Sequence, residues 1–234
     1  MRDIALYRPH PARQEVLRVE ESLDVTQGKL GMGFACGSDD YAAMMVGNTL
    51  FGGSSNSKLF MNVREKLSLC YYASSLYHRQ KRLITVSSGI EFQNFQRAYD
   101  EILAQLEAVK NGKLEDWEME GAQSTLLNAY ASMEDSQGKL ENFYLGQAAT
   151  GQSETPEELA DQVREVTGER VRRAMETGPP GHGVFPARGG SPMKQRFYER
   201  IGESVYRGDP AQRTAGLCGA KAPAMPKNTP FCTR

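Results

Sequence analysis

Residues 51–72 read FGGSSNSKLFMNVREKLSLCYY. Gly52-Gly53 interrupts one helical pattern, and a second begins at about Ser55 and runs to Lys66, with Leu59, Phe60 and Val63 directed inward. From Tyr71 the apolar spacing changes to period two, the mark of a strand with one buried face. A helix therefore hands over to a strand within a few residues, with Arg64 at the helix end and Tyr71 at the strand start.

Upstream, 14–22 (QEVLRVEES) and 24–36 (DVTQGKLGMGFAC) read as two strands, the second alternating Leu30, Met32 and Phe34 against small residues. Glycine at 28, 31 and 33 points to close packing over the sheet. Ser38-Asp39-Asp40 supplies a helix cap with acidic first-turn residues, and a helix follows through Tyr41, Met44, Met45 and Leu50.

Downstream, YYASSLYH and RLITVSSGI form a β-hairpin with a basic tip at 78–82. Helices are then expected over 93–111, 114–131 and 134–149. The first carries the stripe Phe95, Ala98, Tyr99, Ile102, Leu103, Leu106 and Val109, and ends at Gly112. Thr155-Pro156-Glu157-Glu158 combines a cap, a first-turn proline and the reciprocal glutamate of a capping box; Thr167 caps a last helix through Met175. The order β, β, α, α, β, β and then helices predicts an α+β fold, a mixed, mostly antiparallel sheet with helices on one face.

Composition narrows the function classes. The chain has 234 residues with 28 basic and 29 acidic side chains, a net charge of -1, which gives no reason to expect nucleic acid or an anionic membrane as partner. No apolar run reaches the roughly 18–20 residues of a bilayer span, and the start MRDIALYRPH lacks the apolar core of a signal peptide. Cys36, Cys70, Cys218 and Cys232 match neither a disulfide framework nor a zinc knot, so a reduced cytoplasmic setting is expected. His10, His78 and His182 are too far apart for the short metal signatures, and no metal site is expected.

The stretch FGGSSNSKLFMNVREKLSLCYYASS resembles the insulinase/pitrilysin family of zinc metallopeptidases, which includes mitochondrial processing peptidase. The shared pattern is a glycine-rich turn, a serine, leucine-phenylalanine, a VREK helix end and a tyrosine opening a strand. DVTQGKLGMGF upstream, and EDWEMEGAQSTLLNAYASMEDSQGKLENFYLGQ and TPEELADQVREVTGERV downstream, are similar in layout, so the resemblance covers roughly residues 14–176. It implies a half-domain of the insulinase/LuxS type. A full family member has two such halves closing around a peptide. The amino-terminal half carries HxxEH and a downstream glutamate that hold zinc; the carboxy-terminal half lacks zinc and presents an arginine and a tyrosine to the substrate. This chain resembles the second, inactive-type half. The resemblance places the pair on Arg64 and Tyr71, with Cys70 where glycine or alanine is common.

Residue chemistry offers a separate case and a plainer one beside it. An arginine at a helix end presents a planar fork of donors to peptide carbonyls, and a tyrosine fixed at a strand start can donate to an oxygen gaining charge. Arg64 could equally be a cation favoured at a helix C-terminus, and Tyr71 a sheet residue packed on the helix. Tyr72, the competing tyrosine, is expected on the opposite face of the strand. Gly52-Gly53-Ser54-Ser55 lacks the lysine and the strand-loop-helix order of a phosphate loop, so it reads as a turn between packed helices.

Three segments follow: an irregular start (1–13), the inactive-type domain (14–177) and a tail (178–234) expected to be disordered, rich in Gly, Pro, Ala and Arg without periodicity. Codons for Pro180 to Gly189 can be chosen so that a one-base shift reads LDTVFFLRG, similar to the last core strand of the family domain. Met193 to Arg207 resembles the start of a neighbouring, catalytically complete subunit, and codons for Gln212 to Lys221 can be chosen so that a shift reads NGLRVYVVPK, like the family's opening hairpin. The expectation is an out-of-frame tail at a gene junction, an amino-terminal half lost, a last strand missing and an exposed sheet edge prone to aggregation.

The functional expectation is a zinc-free half with no cofactor and no peptidase activity of its own. It would contribute peptide binding through Arg64 and Tyr71 and pair with an HxxEH-bearing subunit of the same family. The alternatives are a scaffold subunit with no role in proteolysis and a non-functional gene fragment.

Overall fold

The structure, a computed structural model, describes residues 27–176 in full and, beyond them, the backbone of strands at 17–18, 21–23 and 182–189. All of these lie in the unit Met1–Met193. The strands are β1 (Leu17–Arg18), β2 (Glu21–Leu23), β3 (Gly28–Ala35), β4 (Cys70–His78), β5 (Leu83–Ile90) and β6 (His182–Gly189). They form one sheet in the order β1-β6-β3-β5-β4, with β2 also on β6. The β4–β5, β5–β3 and β3–β6 pairs are antiparallel, whereas β1 and β2 run parallel to β6. The fold is the expected α+β arrangement.

Period-two burial fixes the faces. Leu30, Met32 and Phe34 of β3, Ile84 and Val86 of β5, and Ala73, Ser75 and Tyr77 of β4 are buried on the helical side. The other face carries Lys29, Gly31 and Gly33, then Thr85 and Ser87, then Ser74 and the exposed Leu76. In β3, Gly28 is closely packed, a Cβ there standing 3.0 Å from the Phe92 ring, whereas at Gly33 it would make ordinary contact with Leu83 at 3.6 Å.

The helices follow their caps. In α1 (Tyr41–Asn48) the cap is Asp40, whose carboxylate accepts the Ala43 N–H at 3.1 Å. The helix widens into a π-type turn at Thr49–Gly53, which seats Phe51, fully buried, edge-on to Phe34 at 6.4 Å. The buried stripe of α2 (Phe95–Lys110) is Ala98, Tyr99, Ile102, Leu106 and Val109, and the chain reverses at Gly112 with φ +68°. Capping boxes open α3 (Asp116–Glu134), through Glu115 and Glu118, and α5 (Pro156–Arg164), through Thr155 and Glu158. Between them α4 (Gln137–Thr150) stays largely exposed, and α6 (Gly168–Glu176) returns Val171, Ala174 and Met175 to the core.

The missing last strand is corrected. His182–Gly189, expected in the disordered tail, forms β6 and fills the slot between β3 and the β1/β2 pair. Backbone groups make a sheet ladder, so a segment interrupted by a proline can still pair. Pro186, opposite Leu30, contributes no N–H. With β6 in place the β3 edge is paired, and the aggregation expected from an open edge loses its basis there. Residues 190–234, where the rest of the out-of-frame reading falls, and residues 1–13 lie outside the described residues.

Candidate functional site

The glycine-serine turn anchors the site. A Cβ on Gly52 would stand 2.7 Å from Leu59 Cδ1, 2.7 Å from Ser75 Oγ and 2.8 Å from the Ser75 backbone nitrogen. Neither Gly52 nor Gly53 has a positive φ, so space, not backbone conformation, requires the glycine at 52. Ser75 Oγ donates to Asn48 Oδ1 at 2.8 Å, and Asn48 Nδ2 donates to the Ser75 carbonyl at 3.4 Å. The turn thus lies against the buried face of β4, as a turn between packed helices.

The helix that follows, Leu59–Lys66, is of π type and buries Leu59 and Val63. Phe60, expected inward, is only partly buried, because its ring carries the Arg64 guanidinium 4.6 Å from its centroid. Two polar contacts fix this helix. At its entrance, Lys58 Nζ donates to both carboxylate oxygens of Glu118 at 2.8 Å, with both side chains buried. On its flank, Asn62 Nδ2 donates to Gln105 Oε1 of α2 at 2.8 Å.

The handover to β4 is tight. Leu69 N–H donates to the Val63 carbonyl at 3.0 Å and Ser68 N–H to that of Arg64 at 3.1 Å, with Ser68 left-handed at φ 50°. The ladder then slips by one residue: Cys70 pairs with Ile90, but Tyr72 pairs with Gly89, leaving Tyr71 as the extra residue of a β-bulge.

The bulge corrects the expectation for Tyr72. Strict alternation puts Tyr71 and Tyr72 on opposite faces, yet the tyrosines are 50% and 41% exposed while Cys70 and Ala73 on either side are buried. Tyr72 lies over Gly89, where a Cβ would meet its ring at 2.5 Å, and its hydroxyl sits 3.4 Å from Ser87 Oγ. Tyr71 Oη donates to Glu91 Oε1 at 3.1 Å, and Gln93 Nε2 donates to Glu91 Oε2 at 2.8 Å. Hydrogen bonding to that carboxylate, and then its charge, push the Tyr71 phenol above the usual tyrosine range.

Arg64 and Tyr71 are thus presented by one helix-turn-strand unit, but no hydrogen bond or ring contact joins them among the described residues. The Arg64 side chain, 41% exposed, rests on Phe60 and lies 3.6 Å from Glu65. Glu91 and Gln93 escaped the sequence reading. The signal was the hairpin register, which sets Ile90 opposite Cys70 and so brings Glu91 beside Tyr71; a tip longer than a two-residue turn does not fix that register from sequence. Burial raises the Cys70 thiol, so it stays protonated near neutral pH.

Metal ligation finds no fit here. Among the described residues no three His, Cys, Asp or Glu side chains are grouped to hold an ion. His78 Nε2 lies 3.1 Å from Thr85 Oγ1, and burial, then Lys81, lower its pKa. No helix among the described residues is long and apolar enough to cross a membrane.

A profile of the family described as the peptidase M16 inactive domain matches residues 5–126, more than half of the chain and all of the unit from Gly52 to Gln93. A Bacillus subtilis protein named probable inactive metalloprotease YmfF is 40% identical over 158 residues, 65% of this chain and 37% of that protein. The crystal structure of a conserved protein from Enterococcus faecalis superposes with a TM-score of 0.71 at 30% identity, covering 81% of this chain and 46% of that one. A peptidase M16 inactive domain from Pseudomonas fluorescens shares the fold, with a TM-score of 0.69 at 18% identity over 82% of this chain and 48% of that one. In each case the match spans less than half of the relative's own length. The chain belongs to the M16, or insulinase-type, peptidases as an inactive carboxy-terminal domain of a zinc-protease-like protein.

Proposed function

We propose that this domain forms the zinc-free, peptide-contacting side of a two-sided M16 peptidase. Zinc and the water-activating glutamate come from an HxxEH-bearing partner of the same family. The observation that carries the reading is the presentation of Arg64, half-buried, and Tyr71, exposed, from a helix-turn-strand unit pinned by the buried Lys58–Glu118 pair and the Gly52–Ser75 contact. A guanidinium offers donors to the carbonyls of an extended chain, and a phenol on a bulged strand is held at a defined position. Function here means orientation of the peptide, a contribution that survives without any metal ligand on this chain.

Reconstitution with an HxxEH-bearing M16 subunit tests the reading. Arg64→Ala and Tyr71→Phe are expected to lower turnover of a peptide substrate about ten-fold or more while leaving co-elution of the two subunits intact. Metal analysis of the chain alone is expected to find no stoichiometric zinc. Unchanged turnover in both variants with intact assembly would refute the peptide-contacting role and leave a scaffold subunit.

A further inference from the structure

We propose that α4 (Gln137–Thr150) is a strap that opens as a unit while the rest of the domain stays folded, and that a polar latch, Gln147–Glu154–Arg79, holds it shut in place of apolar burial.

The composition of its contacts points there. The one buried side chain of α4 is an amide, Gln147. Phe143 packs half-buried on the core, whereas Tyr144 and Leu145 are exposed, Leu145 by 65%. The flanking helices differ: α3 buries Ala122, Leu126 and Tyr130, and α5 buries Leu159, Ala160 and Val163. Apolar burial is the main favourable contribution to packing, so α4 gains little from its neighbours. Gly138 and Gly146 weaken the helix further, and with nothing within 4 Å of a Cβ at either position, packing does not require them. A segment with few buried apolar contacts lies at the low end of local stability.

The contacts that do hold α4 are polar and in series. The helix ends at Gly151, left-handed with φ +69°, and the Gln152 N–H returns to the Gln147 carbonyl at 2.9 Å. Gln147 Nε2 donates to the backbone carbonyl of Glu154 at 3.1 Å. The Glu154 carboxylate in turn accepts both arms of the Arg79 guanidinium, at 2.9 and 3.1 Å, from the tip of the β4–β5 hairpin. Arg79 is itself seated on the Tyr41 ring of α1, 4.1 Å from its centroid. With side chains 23% and 27% exposed, the Arg79–Glu154 pair is screened less than an open surface pair. Glu154 is therefore a post fixed to the sheet and to α1, and α4 is tied to that post through one amide.

Amide hydrogen exchange of the full chain, followed by NMR in urea below the unfolding transition, tests the strap. The α4 amides are expected to converge on one opening free energy with a shallow urea slope, exchanging at least about a hundred-fold faster than the slowest amides of α2 and β5. Arg79→Met, Glu154→Gln and Gln147→Ala should each accelerate the α4 amides about ten-fold. The amides of α2 and β5 should quicken by the same factor, since the latch is absent from the opened and the unfolded states alike. Ile102→Val, a core substitution in α2, should accelerate the α2 and β5 amides and leave those of α4 unchanged. Exchange of α4 at the rate and urea slope of α2 and β5, or residue by residue without a common opening, overturns the strap. Unchanged α4 rates in all three latch variants overturn the latch.

Discussion

Gly52→Ala tests whether the glycine-serine turn is a packing device. The added Cβ would lie 2.7 Å from Leu59 Cδ1, 2.7 Å from Ser75 Oγ and 2.8 Å from the Ser75 nitrogen, all closer than a carbon tolerates. Leu59 is fully buried and the Ser75 nitrogen belongs to β4, so neither contact is relieved by a surface side chain swinging aside. Relief requires the Thr49–Gly53 turn to lift off the strand. Overpacking of this kind costs about 1–3 kcal/mol, and lifting the turn also breaks the Asn48–Ser75 hydrogen bonds, each worth about 1 kcal/mol net. The expected loss is about 3–5 kcal/mol, a large part of the roughly 5–15 kcal/mol of a typical domain. Urea unfolding followed by circular dichroism measures it. Two glycines serve as controls. At Gly53 the nearest atoms are Asn48 Nδ2 at 3.1 Å and the Asn48 carbonyl oxygen at 3.2 Å, tight contacts but longer than those at Gly52, so Gly53→Ala should cost less, about 1 kcal/mol. At Gly138, in α4, nothing lies within 4 Å, and Gly138→Ala should stabilise by about 0.5–1 kcal/mol. Equal effects at 52 and 53, or a neutral Gly52→Ala, would refute the packing argument.

The remaining predictions concern three polar or strained positions. Lys58→Met should cost about 3–5 kcal/mol because it strands a buried carboxylate, and Lys58→Met/Glu118→Leu should recover most of that except for the lost cap on Glu115 N–H, about 1 kcal/mol, as a double-mutant cycle in urea would show. Ser68→Gly should stabilise by about 1 kcal/mol, since glycine enters the left-handed region freely, with thermal unfolding as the readout. At Asp40 burial pushes the carboxyl upward, but hydrogen bonds from Arg170 and the Ala43 N–H outweigh it and leave the pKa depressed. A depressed carboxyl contributes stability that is complete above its unfolded pKa of about 3.9 and is lost as pH falls through the folded value. Asp40→Asn keeps the cap and removes the ion pair, so it should flatten the acid limb of the stability–pH profile by about 1 kcal/mol and change little once the wild-type carboxyl is protonated.

The elements whose pattern is local were legible from the chain. The α2 stripe, the capping box of α5 and the alternation of β3 emerged as read, because helix and strand periods and a local cap motif decide them. The site was legible only in outline. Arg64 and Tyr71 could be placed at a helix end and a strand start, but one extra residue in the ladder decides which way two adjacent tyrosines face, and period-two reasoning carries no information about a bulge. The Lys58–Glu118 pair spans 60 residues of sequence and the Arg170–Asp40 pair spans 130, so neither had a local signal. β6 was missed for a different reason. HGVFPARG has a proline where a central strand needs a donor, and propensity argues against it; the two flanking strand edges, which no local reading weighs, accept its backbone all the same.

That contrast explains how a domain without metal ligands among its described residues can hold Arg64 and Tyr71 in a defined geometry. Zinc ligation depends on several side chains converging within tenths of an ångström, and losing one ligand ends it. The Arg64–Tyr71 unit depends instead on backbone devices: a turn that admits only a Cα at 52, a left-handed residue at 68 and a bulge at 71. These are fixed by the packing of the core, since Leu59, Val63 and Leu69 are buried alongside them. The pressure that maintains the fold therefore also maintains the presentation of the two side chains. It follows that Gly52→Ala should impair the site before it unfolds the domain. At denaturant concentrations where the variant remains folded, its Tyr71 ring signal should already differ from wild type, and an unchanged signal would show that the turn and the strand start are independent.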